Sequence, residues 1–255
     1  MDGTLVDDAK QIHDELWPLV AELHARGIAF CPASGRQYHN LLEEFGDVAG
    51  ELFFIAESGA YVVAGGREIS SDGLELDVAR RVVSAVRGIR EAGAVLCAKR
   101  SAYIERRDRP FVEEVAQYYA RLRLVEDLLE VGDDEVLKVA TYDFASGEHN
   151  TAPRLAEFRA SHQVVVSGPH WVDVLSPTAS KGRALREVQA ALGVTRDQTM
   201  AFGDFLNDLE MMDAAAYSFA MANAHPRLKE RASWVAPANN ANGVVRTIRA
   251  VLGLE

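Results

Sequence analysis

The sequence predicts an α/β fold, a doubly wound parallel sheet that forms a core and carries an inserted α+β segment. Short apolar strands alternate with loops and amphipathic helices at both ends of the chain, which is typical of a parallel sheet with helices on both faces. Residues 67–172 have a different pattern and read as a self-contained insert. The 255 residues, 48% of them hydrophobic, suffice for a sizeable core with a smaller insert.

The first part of the chain is predicted to alternate helices with buried strands. Apolar residues at helical spacing predict a helix over 9–26, in which Pro18 marks a kink or break. Apolar runs predict strands over 28–31 and 52–56, separated by a helix over 37–46. We therefore expect residues 1–66 to begin the core.

The insert and the last part of the chain follow in order. For the insert we predict helices over 77–92, 111–121 and 151–161 and strands over 94–97, 136–142 and 164–166. For the returning core, residues 173–255, we predict strands at 171–175, 199–202, 217–221 and 234–235 and helices at 181–192, from about 207, and near 242–252.

Composition excludes several classes of protein. The net charge of −11 argues against a nucleic-acid binder, which would show a basic face. Cys31 and Cys97 are far apart and lack a CxxC pattern, so neither a zinc site nor a disulfide framework is expected. The sequence shows neither an apolar run of membrane-helix length nor a signal-peptide pattern. We expect a cytoplasmic protein without a membrane or nucleic-acid partner.

Four polar clusters follow predicted strands or open the helices after them. They are Asp2-Gly3-Thr4, Ser34-Gly35-Arg36, Ser180-Lys181-Gly182 and Gly203-Asp204-Phe205-Leu206-Asn207-Asp208. Because the carboxyl ends of parallel strands face the ligand crevice, we expect these clusters to lie there. Backbone amides at Ser34 and Gly35 suit a phosphate oxygen, and Lys181 can hold a phosphate as a point charge.

Each cluster also has a purely structural explanation when taken alone. Ser34, Asp204 and Asn207 are residue types that commonly cap helices. Asp2 with its two neighbours is compatible with an N-terminal turn, and a lysine such as Lys181 is commonly solvated. The order and spacing of all four clusters together favour a functional site.

Asp204 and Asp208 are four residues apart, a spacing that places both carboxylates on one face of a helix. Neighbouring carboxylates repel each other unless a cation lies between them, and a hard oxygen site suits Mg²⁺. The sequence therefore predicts a magnesium site.

In order and spacing, the four clusters resemble the signature motifs of the haloacid dehalogenase superfamily over nearly the whole chain. More specifically, the chain resembles the Cof-like, type-IIB-capped sugar-phosphate phosphatases. The matching segments are residues 2–5, 33–36, 56–60, 180–182, 202–208, 220–224 and 242–244. Two departures are Ser58, where the family usually has Asn, and Ala222, where Gly is common.

The resemblance implies a Rossmann-like core, a cap over 67–172 and hydrolysis through an aspartyl-phosphate. Asp2 would be the general acid and base, with its backbone carbonyl on Mg²⁺. The further implied site residues are Thr4, Ser34, Gly35, Lys181 and Asn207 at the phosphoryl group, Asp204 as a direct metal ligand, and Asp208 as a ligand or its support. Lys181 would also restrain the nucleophile.

The family motif places its nucleophilic aspartate two residues before Asp2, one position ahead of Met1. We expect Met1 to be the variable residue of this motif in a longer reading frame that also encodes a central strand. The alternative is a short product that binds phosphate ligands without turnover. Asp7 and Asp8 lie beyond the motif and cannot replace the nucleophile, so the printed chain is expected to be inactive.

The sequence thus predicts a Mg²⁺-dependent phosphatase of small phosphorylated metabolites, with sugar phosphates as the expected class. A sugar phosphomutase and a non-catalytic phosphosugar-binding protein are the alternatives. The individual substrate and the oligomeric state are not predicted. We interpret the Arg-rich stretch 99–109 as a solvated face, with substrate contact as the alternative.

Overall fold

The computed structural model describes residues 1–254. Its α-helices are α1 (Leu16–Ala25), α2 (Tyr38–Phe45), α3 (Leu76–Arg87), α4 (Arg109–Ala116), α5 (Ala152–Arg154), α6 (Lys181–Leu192), α7 (Leu209–Ala214), α8 (Pro226–Arg231) and α9 (Gly243–Leu252). Its strands are β1 (Phe53–Ala56), β2 (Tyr61–Ala64), β3 (Arg67–Ser71), β4 (Ala92–Ala98), β5 (Ala102–Ile104), β6 (Leu122–Leu124), β7 (Val136–Asp143), β8 (Gln163–Val166), β9 (Trp171–Leu175), β10 (Met200–Gly203), β11 (Tyr217–Met221) and β12 (Trp234–Ala236).

The strands form three sheets. β10, β11 and β12 are parallel, whereas β1, β2 and β3 form an antiparallel meander. The third sheet has the order β6-β5-β4-β7-β9-β8 and is antiparallel except for the parallel pair β5 and β6. A mixed α/β architecture that contains a parallel sheet is confirmed.

The two smaller sheets share one apolar core with the helices around them. Phe54 and Ile55 of β1 and Phe219 and Met221 of β11 belong to the same buried cluster, together with Leu19 of α1. This packing brings the carboxyl ends of β1 and β10 to one side of the core, where the polar clusters lie.

The six-stranded sheet is covered on both faces. Alternate residues of its strands point to opposite faces, so Leu96 packs with α3 while Cys97 packs with α4. A small apolar cluster that includes Ala60 and Leu137 joins this sheet to the core. We call the six-stranded sheet with its helices the cap.

The strand pairing differs from the predicted division at two places. The sequence pattern assigns residues 171–175 to the returning core, whereas β9 pairs with β7 and β8 in the cap. The predicted insert starts at residue 67, whereas β3 pairs with β2 of the meander. β9 has an ordinary apolar pattern, and its pairing over such a distance is decided by packing. β3 is largely polar and follows β2 across a two-residue turn, so it pairs as a local hairpin. The division into a core (1–66 and 173–255) and a cap (67–172) stays a prediction, and the sheets themselves change near Ser71 and Leu175.

Several predicted elements are shorter in the structure, broken or absent. Residues 28–31 do not form a regular strand; pairing starts at Ala33, which lies parallel to Ile55, after Pro32, a residue that cannot donate a hydrogen bond. The first helix begins only at Leu16, because Val6 pairs with Ile12. The helix predicted over 151–161 is broken into short turns around Pro153.

Among the helices of residues 1–254, none combines the length and apolar character needed to cross a membrane.

A tight backbone contact explains one glycine of the C-terminal motif. A methyl group on Gly243 would overlap the carbonyl oxygen of Pro237, whereas nothing lies within 4 Å of the same position on Gly50. We expect Gly243→Ala to lower the free energy of unfolding by about 1–3 kcal/mol, because the backbone must shift. Gly50→Ala is the matched control, with an expected change within about 0.5 kcal/mol. Urea denaturation of both variants checks this, and equal stabilities would contradict it.

Candidate active site

The N-terminal turn packs directly on the loop after β10. The Thr4 hydroxyl donates a 2.6 Å hydrogen bond to Oδ1 of Asp204, and Asn223 donates to the Gly3 carbonyl at 2.7 Å. Gly3 has a φ of +69°, and a methyl group there would overlap the Asp204 carboxylate. The carbonyl of Met1 accepts hydrogen bonds from three of the amides that follow it. Thr4 is therefore held by Asp204 in this structure.

Lys181, the first residue of α6, forms a buried ion pair with Asp208. Its Nζ donates to Oδ1 of Asp208 at 2.7 Å, and both side chains are at most 6% exposed. Oδ2 of Asp208 accepts from the backbone amides of Asp204 and Phe205 at 3.0 and 3.3 Å. Burial opposes ionisation of Asp208, but Lys181 and the N-terminal ammonium lower its pKa. Asp208 thus fixes both Lys181 and the turn that carries Asp204.

Asp204 lacks such compensation. Burial first, and then the neighbouring Asp208 carboxylate, raise the pKa of Asp204, while the N-terminal ammonium and Thr4 act in the opposite direction. A carboxylate in this situation attracts a cation.

The Asp2 carboxylate is held by two cations. Arg36 binds it through two nitrogens at 3.0 and 2.6 Å, and Lys10 lies at 3.0 Å. Although burial opposes the effect, Arg36, the N-terminal ammonium and Lys10 lower the pKa of Asp2 well below its usual range. Asp2 is accordingly an ionised carboxylate in this arrangement, and its ion pairs oppose protonation.

Residues 34–36 form a short loop between the Ala33 pairing and α2. Ser34 is buried, and its hydroxyl accepts the amide hydrogen of Arg36 at 3.1 Å. The carbonyl of Gly35 accepts from Nζ of Lys138, a cap residue, at 2.7 Å. Asn207 lies in a single turn of 3₁₀ helix, Leu206–Asp208.

A small cavity of about 80 Å³ lies between this loop and the cap. It is lined by Asp2, Ser34, Gly35, Arg36, Tyr118, Tyr119, Lys138, Ser167, Trp171, Asp173 and Asn207. The structure therefore brings Asp2, Ser34, Gly35 and Asn207 to one cavity, while Thr4, Lys181, Asp204 and Asp208 lie outside its lining.

The sequence prediction missed the cap residues of this cavity. Tyr118, Tyr119 and Trp171 belong to no short motif and gave no local signal. Lys138 and Asp173 did give one, because each is a charged residue flanked on both sides by apolar residues of its strand. Such a residue is costly to bury without a partner, so it points to a specific buried contact.

The Arg-rich stretch does not reach the cavity. Arg100, Arg106, Arg107 and Arg109 each pair with carboxylates on the cap surface and are absent from the cavity lining. This arrangement fits the interpretation of a solvated face.

The site offers only a partial set of metal ligands. Within residues 1–254, no group of three or more His, Cys, Asp or Glu side chains converges as a metal site. Both oxygens of Asp208 are taken by hydrogen bonds within the protein. Asp204, whose raised pKa reports uncompensated negative charge, fits a hard cation that takes its remaining ligands from backbone oxygens and phosphate.

Comparisons with known proteins agree with this geometry. A family model described as haloacid dehalogenase-like hydrolase matches residues 1–248. The chain is 32% identical over 263 residues to the 5-amino-6-(5-phospho-D-ribitylamino)uracil phosphatase YbjI of Escherichia coli, covering 100% of this chain and 95% of that protein.

Solved structures show the same fold. SMU.1108c from Streptococcus mutans superimposes with a TM-score of 0.90 at 26% identity, covering 99% of this chain and 97% of that one. BT4131, described as a subclass IIB sugar phosphatase, gives a TM-score of 0.85 at 19% identity over 100% of this chain and 97% of its own, a likeness of fold alone.

The ion pair between Lys181 and Asp208 can be tested by its effect on stability. We expect Lys181→Met to lower the free energy of unfolding by about 3–5 kcal/mol, because Asp208 is left as an unpaired buried charge. The double variant with Asp208→Asn should recover part of this loss in urea denaturation. Arg109→Met, which breaks the exposed pair with Glu113, is the control and should cost under about 1 kcal/mol. Equal losses in the single and double variants would contradict the ion pair.

The ion pairs of Asp2 predict a pH dependence. A carboxylate whose pKa is lowered by folding stabilises the protein above the pKa of unfolded aspartate, about 3.9, and loses this contribution as the pH falls. The stability difference between the parent and Asp2→Asn should be constant near neutral pH and shrink below about pH 4. Since Asp2 is 35% exposed, the difference should be modest, about 1 kcal/mol. Urea denaturation across pH checks this, and a difference that does not change with pH would refute it.

Proposed function

The chain belongs to the haloacid dehalogenase-like hydrolases, and from this premise we propose that it is a cytoplasmic, Mg²⁺-dependent phosphatase of small phosphate monoesters. The observation that carries the proposal is the meeting of Asp2, Ser34, Gly35 and Asn207 at one cavity. These groups can bind an anionic phosphoryl group and transfer a proton next to it.

We propose sugar phosphates, including phosphorylated sugar alcohols, as the substrate class. The substrate in the name of the Escherichia coli relative carries its phosphate on a ribityl group. The cavity combines the cations Arg36 and Lys138 with the aromatic rings of Tyr118 and Trp171, which suits a charged group attached to a polar carbon chain. The net charge of −11 does not oppose this, because the local cations lie at the site.

The residues at the site have separate roles in binding the phosphoryl group and in transferring protons. The Ser34 hydroxyl, the Gly35 amide and the Asn207 side chain hold phosphoryl oxygens, and Lys181 supplies a positive charge near them. When it carries a proton, Asp2 donates it to the leaving oxygen, and the carboxylate so formed takes a proton from the attacking water. Asp208 keeps Lys181 in place.

Asp204 and the backbone carbonyl of Asp2 would hold Mg²⁺, and Thr4 fixes the orientation of Asp204. When bound, the ion neutralises phosphate charge that Asp204 would otherwise repel.

We propose that the covalent step belongs to a form of the protein with an aspartate two residues before Asp2. The amine of Met1 is buried, 3.4 Å from the carbonyl of Ala33, and burial followed by Lys181 lowers its pKa. A residue attached to this nitrogen would lie beside the loop formed by residues 34–36. Its carboxylate would attack phosphorus and expel the leaving oxygen, and water would then release phosphate.

Turnover of p-nitrophenyl phosphate with Mg²⁺ tests this proposal. We expect hydrolysis by the extended form and none by the printed chain, because only the former has the nucleophile. In the extended form, replacing that aspartate by Asn should abolish turnover, and Asp2→Asn should lower kcat about 10²- to 10⁴-fold. Asp197→Asn, a change at an exposed position, is the control and should leave kcat unchanged.

The outcomes separate the alternatives. Hydrolysis by the printed chain that survives Asp2→Asn would show that the mechanism is wrong. Binding of phosphosugars without turnover by the extended form would identify a binding protein. Retention and return of glucose bisphosphate would identify a mutase. A screen of phosphate esters with the extended form then identifies the substrate.

A further inference from the structure

A buried polar cluster joins the cap to the core beside the cavity. Nζ of Lys138 lies 2.7 Å from the Gly35 carbonyl, 3.1 Å from Oδ2 of Asp173 and 3.2 Å from Oε2 of Glu57. The Ser58 hydroxyl donates to the same Asp173 oxygen at 2.7 Å. Lys138 and Asp173 belong to the cap, and the other three to the core. We call these five residues the junction.

The junction is costly to bury. It sets two carboxylates against one ammonium, and the side chains of Lys138, Asp173 and Glu57 are at most 2% exposed. Buried ion pairs rarely add net stability over apolar residues of similar size, but they do fix one geometry. The cluster is therefore better suited to setting the position of the cap than to strengthening the fold.

The core side of the junction is a strained turn. Glu57, Ser58 and Gly59 have φ values of +50°, +59° and +100° in succession. A methyl group on Gly59 would overlap the backbone of Ser180, so the turn packs against the start of α6, where Lys181 begins. Such strain persists only where surrounding contacts enforce it, and it concentrates at functional sites.

A second contact holds the same core loop to the cap. The side chain of Gln37, 2% exposed, donates to the Arg121 carbonyl at 3.0 Å and accepts from the Arg121 amide at 2.8 Å. The loop is thus bound to the cap at two points, Gly35 and Gln37. Arg36, which holds Asp2, lies between these points, and Ser34, at the phosphate site, directly precedes the first of them.

We propose that Lys138 and Asp173 are positioning residues. When the cap is docked on the core, they fix the positions of the phosphate loop, residues 34–36, and of the Glu57–Gly59 turn. Seating the cap would thereby align Ser34 and Gly35 with the phosphoryl group and Arg36 with Asp2. Phosphate binding and cap docking are then coupled through one buried contact. This inference rests on the proposed phosphatase function.

The test compares junction variants in the extended form of the protein. The double variant Lys138→Met/Glu57→Gln removes the ammonium together with one carboxylate, so the net charge of the buried cluster is unchanged. We expect kcat for p-nitrophenyl phosphate to fall between about tenfold and 100-fold, because a misplaced loop raises the barrier. KM should rise as well, because the misplaced loop holds the phosphoryl group less tightly before the reaction.

Matched variants keep the test independent of folding. Thr141→Val, on the same strand, removes a buried hydroxyl that has no hydrogen-bond partner, and it should leave kcat unchanged. Ser58→Ala removes the bond to Asp173 and should lower kcat, whereas Ser58→Asn keeps a donor and tolerates a positive φ, so it should restore the rate. If Ser58 only stabilised the fold, the two variants would have the same kcat whenever their melting temperatures are equal.

Each outcome decides the proposal. The proposal is overturned if the double variant has the same kcat as the parent. It is also overturned if activity falls only in proportion to the unfolded fraction. If the double variant does not fold, the kcat values of the two Ser58 variants decide. If the parent itself has no turnover, the proposed function fails, and inorganic phosphate becomes the probe. Phosphate should then raise the melting temperature of the printed chain but not that of the printed chain with the double substitution. Equal shifts in the two proteins, or no shift in the unsubstituted chain, would overturn the proposal about the junction as well.

Discussion

The buried ion pair between Lys181 and Asp208 is the constraint on which the site depends. One carboxylate binds Lys181 and also accepts two backbone amides of the turn after β10. That turn presents Asp204, which in turn holds Thr4 and the N-terminal segment. Because Thr4, Lys181 and Asp208 are buried, none of these three can move without leaving a charge or a hydrogen-bonding group unpaired. The fold thereby fixes the relative positions of three motifs that are far apart in the chain.

The same arrangement recurs around the cavity. Lys181, Arg36 and Lys138 are each bound by an aspartate, namely Asp208, Asp2 and Asp173. These pairs let an acidic chain keep cations at a buried place, where they strengthen an anion site despite the net charge. A bound phosphate would share these cations with the carboxylates, which makes its binding sensitive to how the cap is placed.

The cap supplies residues that contact the core and line the cavity. Its Lys138 and Asp173 meet the core at the phosphate loop, and its aromatic residues close the cavity. The strained Glu57–Gly59 turn touches both the junction and the start of α6. The same interface therefore lines the cavity and contacts the phosphate loop.

Local sequence determined the four polar clusters, most helices and strands, and the mixed α/β class, because these follow from short-range periodicity and from residue types at strand ends. The partners of the charged groups were decided only by the tertiary structure. Arg36 with Asp2, Lys138 with Gly35, and Ser58 with Asp173 are separated by 34, 103 and 115 positions. The membership of β9 in the cap sheet has the same origin, since its apolar pattern suits either sheet. An alternating strand specifies that a face is buried, while the packing of the whole chain selects what it is buried against.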